Sequence, residues 1–162
     1  MKRFVPVMLI FFSVTLMALS SSILNIRLRK PNGQPTTLKP YVQKHKYTVL
    51  VFWATWCVPC KKELPAVEKY YPKWKEKGIE VIGISIDNAR NMSRAQATAK
   101  SMNLSFPILM DPNQDLMRAL GIRAIPHTAV LNAQGEIVFR HQGYVEGDVD
   151  KLNEKLMELL SK

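Results

Sequence analysis

Two cysteines separated by two residues, Cys57 and Cys60, stand where a continuous apolar segment, residues 47–54, gives way to a helical pattern, and the 162-residue chain has no other cysteine. This placement limits the fold more than any other feature of the chain. Two thiols across the first turn of a helix can close a small disulfide ring, and the positive end of the helix favours a thiolate at the first of them. With orphan N–H groups nearby, the thiol of Cys57 is expected below its free value, toward neutrality. Cys60, one turn further in, is expected to be less exposed. The roles that follow are attack on a substrate disulfide by Cys57 and resolution of the mixed disulfide by Cys60. A structural zinc site is a poor alternative, because zinc needs four ligands. His45, His127 and His141 lie far apart and show no ligand spacing, so neither a metal nor a cofactor is called for. A purely structural bridge is also weak, since so short a loop removes little entropy from the unfolded chain.

The segments around the pair alternate between two periodicities. Residues 47–54 and 79–86 are continuous apolar runs, as expected of strands buried on both faces. Between them, Leu64, Val67, Tyr71 and Trp74 recur at helical spacing and stop at Gly78, with Pro65 expected to kink the helix and Pro72 to break it again. Met92, Ala95, Ala99 and Met102 mark a further helix, for which Ser93 and Gln96 offer a capping box. Residues 106–110 form a short strand, and Asp111-Pro112-Asn113 opens a brief helix as far as Leu120. Residues 127–131 and 136–140 flank the turn Asn132-Ala133-Gln134-Gly135 as a hairpin, and Val149, Leu152, Leu156 and Leu159 line one face of a last helix. Strands alternating with helices give an α/β class, a central mixed β-sheet with helices on both faces.

The motif Trp56-Cys57-Val58-Pro59-Cys60 resembles the active-site motif of the thioredoxin-like superfamily. The longer phrase from Phe52 through Pro65 is similar to exported thiol-disulfide oxidoreductases of the TlpA/ResA type, and the resemblance covers about residues 34–160 by order of elements as well as by motif. It implies a thioredoxin-like fold carrying an inserted βα element, here residues 104–121. It also implies a cis bond before Pro126, packed opposite the cysteines, where by base rate an X-Pro bond is cis only about 5 % of the time. Such a bond leaves the main chain of Ile125 free to pair with an extended substrate. Substrate would then lie across Trp56, Cys57, Pro59, Ile125 and Pro126. His127 stands where the family commonly has threonine, and reads either as a plain strand residue or as a titrating neighbour of the dithiol. Thioredoxins also keep a buried acid at the place of Val51. Proton transfer from Cys60 must therefore take another route, with Glu63, Asp87 or water as candidates and His127 beside them.

The chain opens with Met1-Lys2-Arg3 and an apolar run, the layout of an export signal. Cleavage after Ser20 and retention of residues 4–24 as a membrane anchor both fit it. Arg27, Arg29 and Lys30 beyond the run weaken the charge asymmetry that would orient it. The expected organisation is a signal or anchor at residues 1–24, a linker at 25–35 rich in proline and glycine, and one domain at 36–162, working outside the cytoplasm as a monomer. In an oxidising compartment a dithiol persists only if something reduces it, so an electron donor is implied. The resemblance points to a membrane-embedded thiol carrier. The formal charge is +10, and loss of residues 1–20 removes Lys2 and Arg3 to leave +8. Export and the scatter of the lysines argue against nucleic acid and for proximity to anionic lipid.

Three function classes compete. The first is a reductant of protein disulfides, apocytochrome c among them. A thioredoxin-fold peroxidase is the second, but the proline and hydroxyl residue of its nucleophile motif would fall on Leu50 and Ala54. A copper(I)-handling dithiol is the third, and it lacks a Met or His cluster near the pair. Val58 and Pro59 bring no polar group to favour the thiolate, which biases the pair toward reduction.

Overall fold

The computed structural model describes residues 23–162, with the apolar N-terminal run outside the described residues except for its last two, Ile23 and Leu24. Seven strands form one sheet in the order β2-β1-β5-β4-β3-β6-β7. They are β1 (Leu28–Arg29), β2 (Pro35–Thr36), β3 (Tyr47–Trp53), β4 (Ile79–Ser85), β5 (Ile108–Met110), β6 (His127–Asn132) and β7 (Ile137–Gln142). The helices are α1 (Lys39–Val42), α2 (Val58–Glu76), α3 (Met92–Ser101), α4 (Asp115–Ala119) and α5 (Asp148–Leu160). β3, β4 and β5 run parallel, while β6 is antiparallel to β3 and forms a hairpin with β7. The fold is the expected mixed α/β sheet. β3 and β4 are buried along nearly their whole length because both faces of the sheet are covered at its centre, which is why their sequences do not alternate.

Four local expectations change. The segment read as a linker belongs to the domain: β1 and β2 pair with each other, Arg29 stands opposite Met110 of β5, and Leu28 is fully buried. Its glycine sits at a tight turn of positive φ, Gly33, and the turn composition was that of a hairpin. The capping box at Ser93 does not form; α3 begins at Met92 after a 3-10 turn, Ala89–Asn91, whose own start is capped by the Asn88 side chain on Arg90 N–H. Pro72 does not end α2, which continues to Glu76. Tyr71 and Trp74 are buried on either side of that proline, and the Trp74 indole donates to Asn153 Oδ1 of α5 at 2.9 Å. Tertiary burial of this magnitude offsets the roughly 3 kcal/mol that an internal proline costs. Finally, α4 starts at Asp115 rather than at Asp111, whose buried carboxylate instead accepts from the N–H of Met117 at 2.9 Å.

The Ile108 side chain of β5 lies over Gly83 of β4, so a side chain at position 83 would have to displace it. A Cβ there would meet Ile108 Cδ1 at 2.6 Å and the Phe106 ring at 3.3 Å. Gly83→Val is therefore expected to destabilise the domain by about 1 to 3 kcal/mol, read as a lower midpoint in urea unfolding.

Candidate active site

β3 delivers the chain to the start of α2 at one end of the sheet, and the turn between them is fastened from β4. Beyond Ser85, Asp87 turns inward: its Oδ2 accepts from Thr55 N–H and from Ser85 Oγ, both at 2.9 Å, and its Oδ1 accepts from Thr55 Oγ1 at 2.7 Å. Ile86 N–H donates to the Trp53 carbonyl. Asp87, a sequence candidate for proton transfer, thus has both oxygens engaged in holding the loop that precedes Cys57.

Cys57 is the N-cap of α2, in extended backbone conformation, and its Sγ accepts from Cys60 N–H at 3.3 Å. A sulfur in this position takes a donor the helix would otherwise leave unpaired and faces the positive end of its dipole. Pro59 in the first turn has no N–H, which costs nothing there. The two sulfurs are bonded at 2.03 Å. Cys57 is 5 % exposed and Cys60 fully buried, so Cys60 is the less exposed of the two.

Glu63 lies one turn beyond Cys60 on the same buried face of α2 and is 3 % exposed. Its Oε1 accepts from Thr128 Oγ1 at 2.8 Å, and its Oε2 is buried without a partner among the described residues. Burial pushes its pKa up to about 7; Thr128 opposes this and the charge of Asp148 adds to it. The sheet register explains the arrangement. Val51 of β3 stands opposite Thr128 of β6, so both side chains face α2. An acid at position 51 would project toward this spot from the sheet; here a carboxylate reaches it from the helix. The sequence singled out Glu63 but not Thr128, whose only signal was its parity with Val130 on a strand with one face toward α2. Beside Glu63 a cavity of about 200 Å³ runs outward past Thr128, Phe139, His141 and Asp148. At its rim His141 Nε2 lies 3.1 Å from Asp148 Oδ2. Val145 N–H is the foremost cause holding the Asp148 carboxyl below the usual range, with Lys151 and His141 adding to it.

The Ile125–Pro126 bond is cis. His127 opposite Phe52 sets this bond at the same end of the sheet as Cys57, and Gly143 N–H holds the Pro126 carbonyl at 2.9 Å. The main-chain N–H and C=O of Ile125 have no partner among the described residues. His127 points to the face opposite Thr128 and Glu63, since neighbours on a strand alternate. Both its ring nitrogens are buried without partners among the described residues, and burial first, then Arg140 and His141, lowers its pKa. Trp56, Val58 and Val145 are the large apolar side chains left exposed among the described residues, at 66 %, 61 % and 64 %. Val58, Pro59, Lys62, Tyr144, Val145 and Glu146 line a depression of about 560 Å³ beside the disulfide. The stretch 144–146 was not singled out in the sequence, because only tertiary packing brings it to α2.

A buried acid of raised pKa makes stability depend on pH. Glu63 is bound to its proton more tightly folded than unfolded, so its contribution is intact below about 4.5 and is lost as pH rises through about 7. Glu63→Gln is expected to flatten that loss, which amounts to roughly 3 kcal/mol at full ionisation, in urea unfolding compared at pH 5 and pH 8.

Comparison with known proteins agrees with this geometry. The Redoxin family model matches residues 18–156. The thiol-disulfide oxidoreductase ResA of Halalkalibacterium halodurans is 37 % identical over 115 residues, which is 71 % of this chain and 62 % of that protein, less than two thirds of its length. ResA of Bacillus thuringiensis subsp. konkukian is 31 % identical over 130 residues, 80 % of this chain and 69 % of that protein. A thioredoxin-like protein of Porphyromonas gingivalis, solved in solution, superposes with a TM-score of 0.73 at 30 % identity, covering 84 % of this chain and 90 % of its own. The chain therefore belongs to the Redoxin family, with thioredoxin-like architecture and ResA thiol-disulfide oxidoreductases as its relatives.

Proposed function

We propose that this chain is an exported thiol-disulfide oxidoreductase that reduces disulfides of envelope proteins, apocytochrome c among them. The observation that carries the reading is the Cys57–Cys60 disulfide at the head of α2 with the buried Glu63 carboxyl, pushed up to about 7 by burial, one turn below it. In the reduced protein the Cys57 thiolate attacks one sulfur of a substrate disulfide, forming a mixed disulfide and releasing the other substrate sulfur as a thiolate. The Cys60 thiol passes its proton toward Glu63, and the resulting thiolate attacks Cys57 Sγ. The second substrate thiolate leaves and takes up a proton, and Cys57–Cys60 is left oxidised. A carboxyl that is half ionised near neutrality serves as base in this step without being too weak to accept the proton.

Substrate binding is assigned to Trp56, Pro59, Ile125 and Pro126. Exposed apolar side chains around the disulfide and the unpaired main chain of Ile125 support a partner that adds an extended strand there. The engaged oxygens of Asp87 favour Glu63 over it as the proton acceptor, and His127 is read as a strand residue because it faces away from Glu63. A membrane-embedded thiol carrier returns the electrons, and the domain acts as a monomer. Residues 1–24 direct export, as a signal cleaved after Ser20 or as a retained anchor, which the mass of the native product distinguishes.

The roles of the two cysteines separate in a trapping experiment. Cys57→Ser should abolish reduction of insulin disulfides, whereas Cys60→Ser should accumulate mixed disulfides on non-reducing gels; equal trapping by both overturns the assignment. Equilibration with graded glutathione and dithiothreitol buffers is expected to give a potential nearer about −270 mV than about −120 mV. A value above about −180 mV, in the isomerase and oxidant range, would replace the reductant reading.

A further inference from the structure

The apolar N-terminal run ends on the domain itself. Ile23 and Leu24 are each 4 % exposed, and Leu24 lies on the turn that joins β6 to β7. Its Cγ and both methyl groups stand 2.9 to 3.0 Å from where a side chain on Gly135 would begin. Gly135 has φ +83°, so conformation and space both reserve the position for glycine. That turn marks one end of the sheet. Asn132 stands opposite Tyr47 and His127 opposite Phe52, so the turn lies beside the start of β3 while Cys57 lies beyond its finish. A strand of seven residues separates the two ends by about 20 Å.

The end that holds Leu24 also carries cations. Lys44 and Lys46 precede β3, and Lys46 N–H is bonded to the Gly78 carbonyl, which brings Lys77 alongside. All three are exposed and make no ion pair among the described residues. The end of α5 joins them, since Tyr47 Oη donates to the Leu159 carbonyl at 3.0 Å. The acids at this end are mostly engaged: Glu158 with Lys155 and Lys162, Glu80 with Tyr71, and Glu136 with Asn132, leaving Glu76 exposed. The opposite end carries cations too, Lys61, Lys62, Arg123 and Lys151, but there Glu146, Asp148 and Asp150 are interspersed among them.

We propose that the β6–β7 turn and the Lys44, Lys46 and Lys77 face rest on an anionic bilayer, with Leu24 at the membrane surface and the Cys57–Cys60 pair turned away from it. The inference rests on the export reading of residues 1–24 and adds an orientation to it. Leu24 is packed against the domain, so the described chain begins on this end of the fold and not on the end that holds Cys57. The disulfide is then presented about 20 Å above the lipid, and a donor or substrate must bring its thiols to that height in a part of its chain outside the membrane. Each lysine within a Debye length of an anionic surface strengthens partitioning about fivefold.

The test uses the native product of the full chain carrying Cys57→Ser and Cys60→Ser, with one nitroxide at Gln134→Cys or at Val145→Cys. It is reconstituted in discs of phosphatidylglycerol or of phosphatidylcholine, each doped with a lipid bearing a chelated paramagnetic metal. In phosphatidylglycerol, strong relaxation enhancement is expected at 134 and background at 145. Equal enhancement at the two positions overturns the proposal, and so does a contrast that persists unchanged in the combined variant Lys44→Glu, Lys46→Glu, Lys77→Glu. If mass spectrometry finds the product cleaved, the anchor reading fails but the orientation is still decided. The cleaved product should then sediment with phosphatidylglycerol vesicles and show the same label contrast, with the triple variant partitioning at least a hundredfold more weakly. Failure to sediment overturns the proposal. Without the two serine substitutions, the triple variant should reduce insulin at the wild-type rate, because the three lysines lie at the far end of β3.

Discussion

β3 is the constraint on which the rest depends. It is paired on both edges, to β4 and to β6, and buried on both faces, so its position in the molecule leaves no freedom. Everything chemical is referred to its far end. The turn that follows is tied to β4 through Asp87, the helix that follows is capped by Cys57, and the antiparallel partner brings the cis peptide before Pro126 to the same level. A dithiol on a loop would have no such frame. At the head of a helix fed by an immobile strand, its sulfur, its hydrogen-bond donor and the helix dipole are aligned without further ordering.

The proton chemistry follows from the same register. Val51 and Thr128 face each other across β3 and β6 on the α2 side. An apolar residue at 51 leaves room for Glu63 to enter from the helix, where one oxygen is held by Thr128 and the other is left bare. That imbalance keeps the acid anchored yet easy to protonate. Burial raises its pKa, and Asp148 across the neighbouring cavity raises it further, while a single hydroxyl donor is too weak a counterweight.

Much of this was legible in the chain. Continuous apolar runs marked β3 and β4, helical spacing marked α2 and α5, and the turn Asn132–Gly135 marked the hairpin, because periods of 2 and 3.6 are properties of the local backbone. Residues 25–35 were less legible: two-residue strands are too short to show a period, and their proline and glycine read equally as linker or hairpin. Glu63 fell within the motif that carries the family resemblance and Asp87 had only its place near a strand end, but nothing in the chain showed what either carboxylate meets.

The sequence by itself determined the pair of cysteines at a helix start, the α/β alternation and the apolar head, since each depends only on neighbours along the chain. Tertiary structure alone decided which carboxylate keeps an oxygen without a hydrogen bond among the described residues, because that turns on partners contributed by other elements: Asp87 has both oxygens engaged by Thr55 and Ser85, and Glu63 meets only Thr128. It also decided that Leu24 seats on Gly135 at the end remote from Cys57. Neither contact has a local signature, because burial and strand register join residues far apart in the chain, and no periodicity within one segment records its partner.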